Sequence, residues 1–469
     1  MPTRSCPLGA CPNPAQYARA VRRVTIQDTL SGERRALEPG EHDVVGIYAC
    51  GPTTYGRIHI GNARPFVIFT LLRRFLAHEG YDAKLVVNVT DINDKIYDAA
   101  REAGVPSARF AEEMTAAYIE DTDRLGLGRP DAEPLATETI GEIVALIEDL
   151  IEAGHAYEAH GDVYFRVRSF DGYGKLSNRD PEDMDQGEEA GTASLKEDSL
   201  DFALWKGRKE GEDTSWESPW GAGRPGWHIE CSAMAEEILG VDFDIHGGGA
   251  DLVFPHHENE IAQTEAARHK PLARIWMHNG MVQLDESKMS KSVGNVFQLS
   301  EALDRHGPEA VVAYLASGHY RQPLAFSDEA LAEAKARVER IANYASIAPA
   351  GEPDEFLADR RDAFLDALAD DFNTPRAFAA LAEIVAEGNR RELAGARPVL
   401  EDLLPLLGLE SALAVQEGPD PEAERLLAER NRAREDKDFD RADQIRDELA
   451  ARGWEVRDEA GGARLVRRE

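Results

Sequence analysis

Three stretches of this 469-residue chain carry side chains that could do chemistry together. Residues 48–64 read YACGPTTYGRIHIGNAR, with a cysteine, Cys50, after an apolar run and a His-Ile-Gly-Asn tetrad, His59 to Asn62, at a helix entrance. A thiolate holds a soft metal, while a His and an Asn beside free helix N–H groups hold phosphate oxygens as charge builds on them. Residues 246–260 read HGGGADLVFPHHENE. Pro255 suits the first turn of a helix, which sets His256 and Glu260, four apart, on one face. Together with Cys231, the set Cys50, Cys231, His256 and Glu260 offers two sulfurs, a nitrogen and an oxygen, a combination suited to zinc. A buried cysteine beside an incidental histidine is the plainer reading of any one stretch. The spacing is not the His-Glu-x-x-His of zinc proteases, so hydrolysis is the weaker chemistry. The third stretch, Lys288-Met289-Ser290-Lys291-Ser292, adds two cations.

These residues need elements to hold them. The apolar run at 44–47 predicts a buried strand, 63–78 a helix and 83–87 a second strand, which is a βαβ unit and hence a parallel sheet. Before it, 24–37 alternates around Ser31-Gly32 as a hairpin. From 94 to 153 the pattern is helical, broken at Gly104, at 126–130 and at Gly154. A short strand at 162–167 is followed by acidic, Gly-containing segments with little periodicity, expected to be partly mobile. The sheet resumes where 226–232 opens a helix to Leu239, with a strand at 243–246. Beyond Ser300 the chain predicts amphipathic helices at 328–345, 356–368, 376–387 and 398–407.

Length suggests about three domains. Four cysteines are too few for a disulfide framework, which points to a reduced, cytoplasmic setting. Among them, Cys6 and Cys11 lie in a Pro-rich start that reads as a loose tail or a weak chelating pair. No apolar run approaches the roughly 18 residues of a membrane span, and the first twenty or so lack a signal-like apolar core. Charge is the unusual feature: 87 acidic against 53 basic residues leave a net −34. Such a surface repels nucleic acid at low salt, so either the partner is not nucleic acid or salt screens the repulsion. From Arg425 onward 12 Lys/Arg balance 12 Asp/Glu, so the tail is the part least repulsive to phosphate, or simply a solvated mixed-charge face.

The pair HIGN and KMSKS, in that order and at that distance, resembles the paired signature of class I aminoacyl-tRNA synthetases, with Asn62 where the signature has a second histidine. The segments YACGPTTYGRIHIGNAR, NVTDINDK, GRPGWHIECSAM, FDIHGGGADLVFPHHENEIAQ, MHNGMV, KMSKS and DDFNTP, in register, are similar to those of the cysteinyl-tRNA synthetase family. That resemblance implies an α/β fold: a Rossmann-like parallel sheet split by a connective insertion, then a helical bundle and a small α/β C-terminal domain. It divides the chain into a tail (1–23), a first catalytic half (24–104), an insertion (105–225), a second half with the KMSKS loop (226–317), an anticodon-stem-binding bundle (318–421) and an anticodon-recognising end (422–469).

The same resemblance implies roles. Cys50, Cys231, His256 and Glu260 hold one zinc ion per chain, and magnesium accompanies ATP. His59 and Asn62 stabilise the ATP phosphates, and Lys288 and Lys291 clamp the developing pyrophosphate. Gly248 and Asp251 face the ribose, and Met281 and Val282 line the adenine pocket. Thr90 and Trp227 line the cysteine pocket, plain core packing being the alternative for Trp227. Trp454, Arg464, Arg467 and Arg468 meet an unpaired anticodon. The implied activity is joining L-cysteine to its tRNA with ATP, by a monomer in the cytoplasm. Two rivals are a ligase of cysteine to an amino sugar in mycothiol synthesis, which needs no anticodon-reading end, and a non-catalytic RNA-binding relative, which needs neither His59 nor the lysines.

Overall fold

The computed structural model describes residues 22–38, 44–184, 195–284, 297–414, 421–459 and 462–467. The chain begins with an antiparallel hairpin, β1 (Thr25–Gln27) and β2 (Arg34–Ala36). The core element follows: β3 (Val44–Ala49), α1 (Ile60–His78) and β4 (Asp82–Val87), with β3 and β4 parallel and Ile47 opposite Leu85. Every residue of β3 after Val44 is buried, as a strand covered on both faces requires. The helix starts where His59 caps it, and Pro65 stands inside it.

Three helices follow, α2 (Asp94–Ala103), α3 (Ser107–Asp123) and α4 (Ile140–Glu152). Asn93 caps α2, and Gly104, at φ 70°, ends it in the left-handed conformation a side chain would resist. Next comes a four-stranded antiparallel sheet of β5 (Ala156–Ala159), β6 (Asp162–Phe165), β7 (Phe202–Gly207) and β8 (Gly223–Pro225). Only β6 was expected; β8 is three residues, GRP, and the first four residues of β7 are all buried, so neither shows a period. The acidic stretch expected to be mobile overlaps 185–194, outside the described residues. The helix α5 (Trp227–Leu239) returns the chain to the parallel sheet, where β9 (Phe243–Gly249), α6 (Glu258–Arg268) and β10 (Ala273–Asn279) complete the order β10-β9-β3-β4. β3 and β9 pair in parallel, but successive strands are added outward in opposite directions from them, so their C-terminal ends are the switch point at which α/β sheets bind ligands. Apolar side chains of α4, β6 and β7 pack with Ile229 of α5 and Ala262 of α6, so those two helices lie between the sheets.

The strand β11 (Val282–Leu284) leads out of the sheet. After α7 (Leu299–His306) and α8 (Pro308–Leu315) it is joined in parallel by β12 (Leu324–Phe326), a strand the helical expectation for this region missed. The expected amphipathic helices are α9 (Asp328–Ile347), α10 (Glu355–Ala369), α11 (Thr374–Gly388) and α12 (Ala396–Leu403). Ser327, Asp354 and Asn373 cap the first three. The chain divides into two compact units, Met1–Ala412 and Leu413–Glu469. The second holds α13 (Pro421–Glu435), α14 (Phe439–Ala451) and the hairpin β13 (Trp454–Glu459) and β14 (Gly462–Arg467). Among the described residues no helix is long and apolar enough to cross a membrane.

Asp371 is fully buried and ties β1 and residues 320–321 to the link between α10 and α11. Its carboxylate accepts from Gln27 N at 2.8 Å, Tyr320 Oη at 2.7 Å and Arg321 Nε at 2.9 Å, while its own N–H donates to Thr25 O. Asp371 and Phe372 both take positive φ, 63° and 45°, which tight bonding on every side sustains. Asp371→Ala strands these donors, and we expect it to cost about 3 kcal/mol by urea unfolding. A loss under about 0.5 kcal/mol, the range of ordinary surface changes, would show that the junction is not held this way.

Candidate active site

The site is built at the ends of β3 and β9. The N–H of Cys50 donates to Gly247 O at 2.9 Å, continuing the pairing of the two strands past Ala49. Gly247 has no room for a side chain: a Cβ there would stand 2.3 Å from Met277 O and from the Phe69 ring. This packing aims the Cys50 thiol into the protein. Cys50 Sγ lies 3.8 Å from Cys231 Sγ, 3.6 Å from Glu260 Oε1 and 3.3 Å from His257 Nε2.

The segment before α6 differs from the expectation in one respect. Val253–His257 forms a wide turn with Phe254 in extended conformation, and α6 itself starts at Glu258 rather than at Pro255. The four-residue spacing survives, with His256 Nε2 and Glu260 Oε1 3.0 Å apart. Cys50, His256, His257 and Glu260 each offer a donor atom, and these atoms lie within 4.8 Å of one another, a cluster compatible with a metal site. Cys231, on the first turns of α5, adds a second sulfur beside Cys50.

Electrostatics make this cluster unsettled without a cation. Burial pushes the Cys50 thiol well up, and Cys231 and Glu260 reinforce it. The bond from Cys50 draws Cys231 down against the effect of burial. At His256 burial acts downward, yet Glu260 and Cys231 outweigh it and raise the imidazole to about 10. Glu260 Oε2 is buried and forms no hydrogen bond, although His246 Nε2 stands 3.2 Å away. A buried carboxylate oxygen without a hydrogen bond, two buried thiols and an imidazole turned to the same centre fit a soft divalent ion.

Histidines that sequence reasoning missed lie in and around the cluster, His257 as one of its donors. His228 Nδ1 meets His256 Nδ1 at 2.9 Å, and His257 Nδ1 meets His278 Nε2 at 2.8 Å. Burial holds His246 down to about 4 and His278 to about 3, and keeps His228 and His257 well below the usual range. Neutral rings of this kind orient a metal's ligands without adding charge. The four lie inside the motif segments, but an isolated histidine carries no spacing signal.

Around the cluster, Trp227 is half-buried and stacks on His256 with ring centroids 4.3 Å apart. It therefore packs on a donor rather than on an ordinary apolar core. Thr90 is buried and bonds Glu230 Oε2 at 3.2 Å, joining the end of β4 to α5. Burial keeps the Glu230 carboxyl well up.

On the outer side of the Cys50 loop, His59 and Asn62 form a reciprocal cap. His59 Nδ1 accepts from Gly61 N at 3.1 Å, and Asn62 Oδ1 accepts from His59 N at 3.2 Å. Burial lowers the His59 imidazole, with Asp251 acting the other way. Ile60 N donates to Phe297 O and Leu299 N to Ile58 O, so the loop is paired with the chain that follows residue 296. A Cβ on Gly61 would be 3.7 Å from Val282 Cβ, and one on Gly249 would be 2.3 Å from Asp251 Oδ1 and 4.0 Å from Met281 Sδ. The turn at His59, the glycines ending β9 and the start of β11 thus gather, with Asp251 and Met281 exposed and Gly248 buried.

Lys288, Lys291 and Arg468, with Cys6 and Cys11, lie outside the described residues, as do the side chains of Arg464 and Arg467. Trp454 requires a correction. It is 8% exposed and packs in the tail's own core with Leu426, Ile445 and Leu449. A ring that closes a small core is not offered to an unpaired base.

A class I catalytic domain profile, described as "tRNA synthetases class I (C) catalytic domain", matches residues 36–336. The cysteine–tRNA ligase of Azotobacter vinelandii is 48% identical over 463 residues, 94% of this chain and 99% of that protein. The chain belongs to the cysteinyl-tRNA synthetase family. Other members are the cysteine–tRNA ligases of Caldicellulosiruptor saccharolyticus, 44% identical over 94% of this chain and 99% of that one, and of Chromohalobacter salexigens, 46% over the same shares. Two further family profiles match, a DALR domain at 363–409 and a cysteinyl-tRNA ligase anticodon binding domain at 417–465. Methionyl-tRNA synthetase of Mycobacterium tuberculosis with methionyl-adenylate superposes with a TM-score of 0.57 at 16% identity, covering 80% of this chain and 90% of that one. A leucyl-tRNA synthetase from Agrobacterium radiobacter gives 0.59 at 12%, covering 82% and 86%. These two share the class I fold. The chain is thus an aminoacyl-tRNA synthetase, a cysteine–tRNA ligase by family.

Cys231→Ala removes one of the two sulfurs from the cluster. We expect the metal content of the purified protein, measured by elemental analysis, to fall to background, whereas unchanged content would take Cys231 out of the ligand set.

Proposed function

We propose that this chain activates L-cysteine with ATP and passes it to the terminal adenosine of cysteine tRNA, both steps occurring over the ends of β3 and β9. The observation that carries this reading is the shared loop: Cys50 turns inward to the buried donor cluster, and His59 and Asn62 on the same loop turn outward to the phosphate side. In the first step a carboxylate oxygen of cysteine attacks the α-phosphorus. The bond to the β-phosphate breaks, and pyrophosphate leaves; magnesium bound with ATP would help to balance its charge. In the second step a ribose hydroxyl of the tRNA attacks the carbonyl carbon and loses its proton, and AMP departs.

The chain's own groups supply the electrostatics. His59 Nδ1 accepts from Gly61 N, so the neutral ring keeps its proton on Nε2, from which it donates to a phosphate oxygen. Asn62 uses Oδ1 on His59 N, leaving Nδ2 as the donor. That is a dipole where the signature's second histidine can carry charge. Lys288 and Lys291 balance the leaving pyrophosphate. Asp251 accepts from the ribose hydroxyls beside Gly248, and Met281 and Val282 cover the adenine.

Cys50, Cys231, His256 and Glu260 would hold zinc, with Trp227 and Thr90 lining the space for the amino acid. Bound there, zinc supplies a soft Lewis acid that prefers a thiolate to the hydroxyl of serine. Shape alone would separate the two by only about 1–3 kcal/mol. The bundle that follows β12 lies on the anticodon stem, and the tail, with Arg464, Arg467 and Arg468, reads the anticodon. The enzyme works as a monomer in the cytoplasm, and its net −34 surface implies charging that improves with salt.

The test is aminoacylation of cysteine tRNA with labelled cysteine or serine from low to molar salt, with Lys291→Ala alongside. Charging with cysteine alone is expected, and the variant should lose about 100-fold in kcat for adenylate formation. Adenylate without charging at any salt would favour an amino-sugar acceptor over tRNA.

A further inference from the structure

Arg64 is the fifth residue of α1, two past Asn62, and its side chain is 1% exposed. Its Nη1 donates to Gly280 O at 2.5 Å and to Gln322 O at 2.7 Å, and its Nη2 donates to His319 O at 3.1 Å. Among the described residues no carboxylate pairs with it. Burial draws the guanidinium down to about 10. A cation buried without a counter-charge is expensive, and a methionine of similar length would pack the same space. What the guanidinium alone provides is a planar fork that holds several carbonyls at fixed angles.

The three carbonyls belong to segments that meet the candidate nucleotide site. Gly280 stands between β10 and β11 and immediately precedes Met281 and Val282. A Cβ there would lie 2.3 Å from the Gln322 carbonyl, so the two backbones touch. His319 and Gln322 flank the turn into β12, which runs in parallel beside β11, the strand that leads into residues 285–296. On its other side this turn is gripped by Asp371, through Tyr320 and Arg321. Near the start of α1, Gly61 faces Val282.

We propose that Arg64 is a positioning residue for ATP: it fixes the distance between the His59–Asn62 turn and the Met281–Val282 strand, so that phosphates and adenine are held in one geometry. This rests on the assignment of those two segments to ATP. A lysine keeps the charge but reaches a single acceptor, and methionine keeps the bulk without charge. In either variant the strand is released from the helix. The amino acid side is untouched, because Cys50, Cys231, His256 and Glu260 make no contact with the guanidinium.

The test uses full-length Arg64→Lys and Arg64→Met in ATP–pyrophosphate exchange, with ATP and cysteine varied separately, alongside thermal melting and bound-metal content. The expected result is a rise of about tenfold in KM for ATP, with KM for cysteine at saturating ATP within about twofold of the unaltered enzyme, Lys being milder than Met. A variant that melts as the unaltered enzyme does and keeps its KM for ATP overturns the proposal. So does a fall in kcat alone, with both KM values unchanged, since ATP would then be held as before. If Met fails to fold, the Lys variant decides. Unaltered enzyme with no cysteine-dependent exchange would instead remove the ATP assignment itself.

Discussion

Placing the Glu260 carboxylate among two thiols and three imidazoles, away from water, is the constraint from which the site follows. Each ion removed from water costs several kcal/mol, recovered only when every donor and acceptor is met. Here one carboxylate oxygen forms no hydrogen bond and the thiols crowd one another at 3.8 Å. A divalent cation held by Cys50, Cys231, His256 and Glu260, as proposed, would meet both sulfurs and the carboxylate at once. The surrounding rings of Trp227, Trp276 and the histidines then serve as walls that hold the donors in place and keep solvent away.

The parallel sheet is arranged to serve that centre. Its switch point delivers Cys50 from β3 and the glycine run from β9 to the same end, while α5 brings Cys231, the turn before α6 brings His256 and α6 brings Glu260. The same loop that commits Cys50 inward places a reciprocally capped turn outward, so the donor cluster and the entrance of α1 share one backbone. Gly61, Gly247 and Gly280 stand where a Cβ would meet the His59 ring, Met277 O with the Phe69 ring, and the Gln322 backbone. The insertion's antiparallel sheet packs against α4, α5 and α6 and thereby stiffens the helices that carry the donors.

Much of this was legible in the sequence because chemistry at strand ends leaves a local signature. The apolar run into Cys50, the helix entrance at His59 and the His256–Glu260 spacing each declare themselves within a few residues. The strands β8 and β12 did not, at three residues each, nor did β7, whose first four residues are all buried and so show no alternation. The histidines at 228, 246, 257 and 278 were passed over since their role depends on rings far apart in the chain meeting in space. Arg64 was invisible for the same reason: a buried arginine looks like any helix-surface cation until its carbonyl partners are placed. Trp454 erred in the opposite direction. An aromatic beside arginines reads as a stacking platform, yet a unit of 57 residues needs its large apolar groups for its own core.

If selectivity comes from the buried donor cluster and the metal it would hold, the most direct measurement is the ratio of cysteine-dependent to serine-dependent pyrophosphate exchange. It should be taken on the native enzyme, on enzyme stripped by a chelator, and on stripped enzyme resupplied with zinc. The ratio is expected to collapse on stripping to the roughly 10- to 200-fold that pocket shape alone affords, and to return with zinc. A stripped enzyme that still prefers cysteine as strongly as the native one would contradict the assignment of the cluster as the element that recognises the substrate thiol.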